Sequence, residues 1–306
     1  MKCNRQQGVA IITAILIVAL AASTASFIAW QQHLWIRQAE NLQDQAQART
    51  VARAGVDWAR ALLGDDLRQN AVDHLGEDWA VGVAGMPVEE GRISGNIADQ
   101  QGLFNLNNLV RDGRASELDV EEFRRLLKLL ELPPELADAV TDWIDADNDT
   151  RHPGGAEDID YLRLEPAYRA ANRPLTEVGG LIRVKGFDDA MVKRLRPYVT
   201  ALPRYTDLNV NTAPAEVLAA AIADLPLNEA RDLVEARKGA HFKDKADFRA
   251  RLPGHVKQLR LDDLNVRSQY FLATSRAAFG RVRVGFQVLL ERDGAAWPRL
   301  VWVTDL

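Results

Sequence analysis

From Val9 to Trp30 the chain runs for 22 residues without an Asp, Glu, Lys or Arg, and no other segment of its 306 residues resembles this one. As a helix rising about 1.5 Å per residue, the run is roughly 33 Å long, which matches the hydrocarbon core of a bilayer. One membrane crossing therefore fits. Lys2 and Arg5 precede the run and favour a cytoplasmic amino terminus, with the rest of the chain outside the cytoplasm. That remainder reads as a soluble body. The whole chain is 47% apolar and 26% charged, ordinary globular values that exclude a multi-span membrane protein, a low-complexity chain and a disordered one. Its length suffices for one large or two small domains with a sizeable core.

Three readings of the amino terminus compete. A cleaved secretory signal has an apolar stretch of roughly 7 to 15 residues before a small-residue site, which Ala22-Ser-Thr-Ala-Ser could supply. An uncleaved signal anchor is the second. The third follows from what comes after the run. Between Gln31 and Leu63 there is no proline and only Gly55, while Leu34, Leu42, Val51, Trp58 and Leu62 recur at helical spacings among polar residues. The first proline of the chain is Pro87. The pattern predicts one helix of about 50 residues, half in lipid and half in water.

Gly8 followed by Val9-Ala-Ile-Ile-Thr-Ala-Ile-Leu resembles the cleavage region of type IV prepilins and type II secretion pseudopilins. The resemblance implies that prepilin peptidase cuts between Gly8 and Val9, and that Val9 becomes an N-methylated amino terminus. Most members of the group carry Glu at the fifth mature position, which here is Thr13. A carboxylate in an apolar run costs several kcal/mol unless paired, and in the filament it is thought to meet the free amine of the next subunit. Thr13 cannot make that pair. Among pseudopilins, absence of this Glu marks the minor subunit K, the general secretion pathway protein K family. Phe104-Asn-Leu-Asn-Asn-Leu, Asp142-Trp-Ile-Asp-Ala-Asp, Gly155-Ala-Glu-Asp, Tyr168-Arg-Ala-Ala-Asn-Arg-Pro-Leu and Leu208-Asn-Val-Asn-Thr-Ala-Pro resemble K segments in the same order. Membership would imply an inner-membrane subunit of a Gram-negative bacterium, with its body in the periplasm. It would cap the pseudopilus tip and nucleate assembly with minor pseudopilins I and J, supporting protein export across the outer membrane.

The body changes character along its length. Residues 79–99 alternate weakly around Gly82, Gly85, Pro87 and Gly91, which predicts short strands and a hairpin near Arg92-Ile-Ser-Gly-Asn-Ile. Beyond residue 117 the period becomes helical: Phe123, Leu126, Leu127 and Leu130 share a face, and Pro133-Pro134 opens a helix through Leu136, Val140 and Trp143. A further helical stretch runs from Pro214 to about Arg237. Three strands follow, at Tyr270-Phe-Leu-Ala-Thr, Arg281-Val-Arg-Val-Gly-Phe-Gln-Val-Leu-Leu and Arg299-Leu-Val-Trp-Val, with Asp293-Gly294 as the last turn. The expected fold is α+β: a long helix on a small antiparallel sheet, interrupted by a large all-α insertion, which matches the pilin-like fold that the K resemblance implies. The expected segments are a leader at 1–8, a membrane-spanning half-helix at 9–30 and its soluble half at 31–64. Strands at 65–103 and 266–306 flank helical units at 104–204 and 205–265.

An internal echo joins the two helical units. Asn105-Leu-Asn-Asn-Leu and Asn209-Val-Asn-Thr-Ala each precede helices, and Val184-Lys-Gly-Phe-Asp-Asp-Ala resembles a helix-hairpin-helix turn. Such turns often bind DNA phosphates at a helix start, so a membrane-anchored periplasmic DNA receptor is the alternative reading. The net charge of −5 and the mixture of Arg183, Lys185, Lys193, Arg194 and Arg196 with Asp188 and Asp189 weigh toward a packing unit, with no nucleic acid expected.

Between Asp138 and Asp160 stand eight acidic residues against Arg151 alone. Such crowding is destabilising unless a cation sits among them. Asp145, Asp147 and Asp149 offer oxygens at every second residue, and Gly154-Gly155 lets the chain turn back to deliver Glu157 and Asp158, with Asp142 a further candidate. The EF-hand match is incomplete, since Thr150 stands at the glycine position and Ala156 at the twelfth. Spacing alone leaves a solvated acidic loop equally open. The K resemblance implies structural calcium, one or two ions, at such a loop.

No enzyme is expected. His33, His74, His152, His241 and His255 have no metal-ligand spacing, no serine lies in a G-x-S-x-G elbow and no phosphate loop occurs. A hydrolase using the Asp cluster would need an open metal position and a general base, and the sequence shows neither. The only cysteine, Cys3, lies before the apolar run, so it is neither a lipoprotein anchor nor half of a disulfide. The leader reading is checked in cells that contain prepilin peptidase: Gly8→Phe should retain the leader, seen by intact mass. Normal removal would contradict it.

Overall fold

The computed structural model describes residues 5–257, 259–294 and 297–306. Helix α1 (Arg5–Gln69) is followed by strands β1 (Val83–Val88) and β2 (Gly91–Asp99). A helical block then begins with β3 (Phe104–Asn105), the small hairpin β4 (Val110–Arg111) and β5 (Arg114–Ala115), and helices α2 (Glu117–Leu129), α3 (Leu136–Ile144), α4 (Asp158–Tyr161) and α5 (Asp189–Leu195). It continues through β6 (Val199–Thr200), β7 (Leu208–Asn209), α6 (Ala215–Ala221), α7 (Leu227–Gly239), α8 (Lys245–Arg251) and β8 (Leu264–Asn265). Strands β9 (Tyr270–Phe279), β10 (Val282–Glu291) and β11 (Arg299–Asp305) complete the chain.

The α+β expectation holds. The main sheet has the order β1-β2-β9-β10-β11, antiparallel throughout. The helical block is thus inserted between two neighbouring strands. α1 is 65 residues long rather than about 50: it starts at Arg5, ahead of Val9, and runs past Gly64 to Gln69, where Arg292 donates to Asp66 at 2.7 Å and to the carbonyl of Leu63 at 3.4 Å. The first turn of the sheet lies at Glu89–Glu90, before Arg92, so Arg92 to Ile97 belong inside β2. Gly294 (φ 74°) turns the chain after β10, while residues 295 and 296 lie outside the described residues.

Ala48, Ala52, Val56, Ala59 and Leu63 form the buried stripe of α1, spaced at three and four residues, and pack on Phe271, Ala273, Ala277, Phe286 and Val288 of the sheet. Small residues allow close approach. A Cβ at Gly55 would collide with the Ser275 hydroxyl and the Ile93 side chain. At the opposite end of this contact, Gly280 (φ 52°) makes the tight β9–β10 turn beside Asp44. From Val9 to Gln43 every residue of α1 is exposed, so this half of the helix stands clear of its own body.

The two expected helical units share one hydrophobic core, from Phe104 to Val266. The echo in the sequence is a structural repeat. β3 pairs with β6 in parallel, and β7 pairs with β8 in the same way. In each unit the first Asn accepts from a backbone amide two residues on, Asn105 from Asn107 and Asn209 from Asn211. The second Asn latches a distant backbone through both of its side-chain atoms. Asn107 accepts from the Leu175 amide at 2.8 Å and donates to its carbonyl at 2.9 Å, and Asn211 binds Phe242 with the same two distances.

The insertion is tied to the sheet where it leaves and returns. Asp99, buried, accepts from the Gln101 amide, Thr212 Oγ1, Asn209 Nδ2 and Ser268 Oγ at 2.5–3.0 Å. Beside it Arg292 forms a buried ion pair with Asp73. Replacing a latch isolates its contribution. Asn211→Ala should lower the unfolding free energy in urea by about 2–4 kcal/mol, since it strands two buried backbone groups worth about 1–3 kcal/mol each. The exposed Asn96→Ala on β2 should change it by less than about 0.5 kcal/mol.

Candidate metal centre

Every residue of α3 is buried, including Asp138, Thr141 and Asp142. One helical turn separates Asp138 from Asp142, so both carboxylates face the loop that follows. Asp145 caps the end of α3, and the chain then circles back to Glu157, immediately before α4. Glycines make this return possible. A Cβ at Gly155 would strike Asp142 Oδ2 and the Arg151 backbone, and one at Gly154 would strike the Glu135 carbonyl.

One carboxylate oxygen from each of Asp145, Asp147 and Glu157 lies within 4.8 Å of the other two. Asp145 and Glu157 are 4% and 2% exposed, which departs from a solvated acidic loop. Asp142 Oδ1, Asp145 Oδ1 and both oxygens of Glu157 are buried without a hydrogen-bond partner among the described residues. Burial pushes the Asp145 carboxyl up to about 7, with Asp147 and Asp142 adding repulsion. Burial likewise raises Glu157 to about 7, reinforced by Asp142 and Asp145, and Asp142 to about 6. Unpartnered buried carboxylates of this kind are costly, and a hard cation taking oxygen ligands would satisfy them.

The remaining candidates are placed differently. Asp149 is exposed, and its amide donates to Asp147 Oδ1 at 2.9 Å, which holds the loop in a tight turn. Asp158 is turned to the next segment: Oδ1 accepts from the Ala170 amide at 3.0 Å and Oδ2 lies 3.5 Å from Arg169. The one base in the run, Arg151, is drawn to Glu117 at 2.8 Å and to Asp138 at 3.5 Å. Arg124 reaches Asp138 at 2.5 Å. The arginines thus neutralise the Asp138 end and leave Asp142, Asp145 and Glu157 without a cation.

The acidic loop has no counterpart in the second unit. There only Ala240 and His241 separate α7 from the latched Phe242; in the first, residues 145–174 lie between α3 and the latched Leu175.

Two features escaped the sequence pattern. Asp66, Asp73 and Glu77 also converge, but Arg292 already occupies their centre through Asp66 and Asp73. The histidines, scattered in sequence, include a stacked pair, His74 on His241, with ring centroids 3.9 Å apart. At the helix-hairpin-helix-like turn, Asp188 accepts from the Met191 amide at 2.7 Å, so a carboxylate already sits where a phosphate would bind. Asp244 caps α8 in the same way.

Gly8 and Val9 both lie within the helical run of α1, and residues 1–4 lie outside the described residues. Among the described residues α1 is the one helix long and apolar enough to cross a membrane, with a mean hydropathy of 2.4 over a window that is wholly exposed.

Comparison with known proteins agrees over the whole body. Residues 102–204 and 208–267 match the family described as Type II secretion system (T2SS), protein K. The chain is 38% identical to type II secretion system protein K of Pseudomonas aeruginosa over 302 residues, covering 94% of this chain and 89% of that one. It is 33% identical to the Klebsiella pneumoniae protein, covering 99% of each. The fold superposes on GspK in the crystal structure of the GspK-GspI-GspJ complex from enterotoxigenic Escherichia coli with a TM-score of 0.76. That match has 26% identity over 88% of this chain and 99% of that one. With its inserted helical repeat, its exposed apolar helix and these relatives, the chain belongs to the type II secretion system protein K family.

Proposed function

We propose that this chain is a structural minor pseudopilin that caps the pseudopilus tip, assembles there with minor pseudopilins I and J, and so supports protein export across the outer membrane. The observation that carries the reading is where the insertion sits. It leaves the sheet after Asp99 and returns at Tyr270, beside Arg292 and the Leu63–Asp66 end of α1, which is the end farthest from the apolar run. A subunit stacking beyond that end would have to occupy the same space. The exposed half of α1, with Phe27, Trp30, Leu34, Trp35 and Ile36 uncovered, remains free to pack beside partner helices in the inner membrane and just above it. Its body would lie in the periplasm.

Thr13 is consistent with this place. Its hydroxyl donates to the carbonyls of Val9 and Ala10, both at 3.0 Å, so it is satisfied within its own helix and offers no charge to the amine of a neighbouring subunit. The role is one of assembly and involves no reaction. The GspK-GspI-GspJ complex supports I and J as partners.

For the acidic loop the reading is a structural calcium site held by Asp145, Asp147 and Glu157, with Asp142 behind them. Calcium accepts six to eight oxygens in a flexible shell, which leaves room for backbone carbonyls and water. Neutralising the buried carboxylates would fix residues 145–174 against α3.

Two measurements test these readings. Co-expression of the full chains in detergent should give a complex with one copy each of this chain, I and J by native mass spectrometry. No association, or a repeating fibre of this chain alone, would contradict a tip subunit. Melting should respond to calcium. At about 100 times its dissociation constant the ion should raise the midpoint by roughly 5–10 °C over chelator at pH 7.5. Without the ion, Asp145 and Glu157 titrate near 7 when folded and near 4 when unfolded. The chain should therefore be least stable above about pH 7 and recover as pH falls toward 4. The calcium gain should shrink over the same interval. In the double variant Asp145→Asn, Glu157→Gln the response should vanish, and equal midpoints for the unaltered chain with and without calcium would overturn the site.

A further inference from the structure

The face of the sheet turned away from α1 carries an arginine groove that neither the fold nor the metal centre uses. Strand register puts Arg92 and Arg283 opposite the same residue, Ala278, and Arg276 opposite Ser94 and Gly285, so all three arginines project from one face of β2, β9 and β10. All three are exposed, and together they line a shallow groove of about 380 Å³. Its floor includes the small residues Ser94, Ala278 and Gly285, with Leu306 beside Gly285 at one edge, so another chain could approach the sheet over Ser94 and Ala278. Among the described residues none of the three forms an ion pair, and the turn carboxylates Glu89 and Glu90 do not reach them. The one carboxylate of these strands that points to the same face, Glu291, lies at the far end, buried, and is held by Arg204 and Arg299.

In a chain of net charge −5, three unpaired guanidinium groups converging on one concave surface are a local reversal of sign. Guanidinium is the group best matched to carboxylates, through forked hydrogen bonds. We infer that this groove docks an acidic segment of a partner protein, its carboxylates paired with Arg92, Arg276 and Arg283. A lipid surface is the poorer fit. The nearest sheet turn, Gly280, abuts Asp44, and that point of α1 lies about 20 Å along the helix from Trp30, well beyond a Debye length of about 8 Å. Because the groove faces away from α1, it stays accessible while α1 packs among other helices, so the inference does not depend on the place at the tip.

The test uses the full chain in detergent and a fluorescent peptide of alternating glutamate and serine, read by anisotropy at low salt. The unaltered chain should bind it and should not bind the matching glutamine–serine peptide. Replacing the three residues together (Arg92→Ala, Arg276→Ala, Arg283→Ala) should weaken binding about tenfold, as should raising the salt, while the melting midpoint stays in place. Removing two exposed arginines elsewhere, Arg53→Ala and Arg68→Ala, should leave binding within about twofold. Equal binding by the triple variant, equal binding of both peptides, or binding only to vesicles containing phosphatidylglycerol would each overturn the inference.

Discussion

The architecture hangs on a buried polar knot at Asp99. A large insertion between adjacent antiparallel strands has to leave and re-enter the sheet within one strand spacing, and the two crossing segments bring backbone groups into a place that water does not reach. Asp99 draws them together by accepting from Gln101 on the outgoing segment, Ser268 on the returning one, and Asn209 and Thr212 on the second repeat. Arg292 completes the junction by bridging Asp73 and Asp66 to the end of α1. Breaking a buried pair of this kind leaves one charge uncompensated, so the geometry between sheet and insertion is held by a few residues.

Beyond the knot, the insertion is one motif used twice. The Asn latches, the parallel two-residue ladders and the capped short helices are the same in both copies, and the hydrophobic core runs through both. Only the first copy carries the acidic loop, and there Asp145 and Glu157 are buried together with Asp142 of α3. The latch at Asn107 closes the chain behind it, as the latch at Asn211 does where no loop is present.

Much of this was legible in the sequence. The uncharged run and the proline-free stretch after it specify a continuous helix, and alternation at β9–β11 specifies the strands, because period and breaker residues report local geometry directly. The expected end of the helix at residue 64 falls five residues short, because the contacts of the distant Arg292 with Leu63 and Asp66 are not encoded locally. The acidic loop could be seen as a cluster, but not as a buried one. Burial of Asp145 and Glu157 depends on α3 packing on all sides, and the choice between Glu157 and Asp158 depends on a contact with Ala170 that no spacing encodes. That the two helical units share one core could not be read in the same way, as a shared core is a matter of long-range contact.

On the function proposed above, the unpartnered carboxylates of the insertion are the ligands of a cation. A crystal structure of the chain's body grown with calcium answers it most directly. Anomalous density is expected about 2.3–2.6 Å from carboxylate oxygens of Asp145, Asp147 and Glu157. The same side chains turned out to solvent, or hydrogen-bonded to one another with no ion between them, would contradict it.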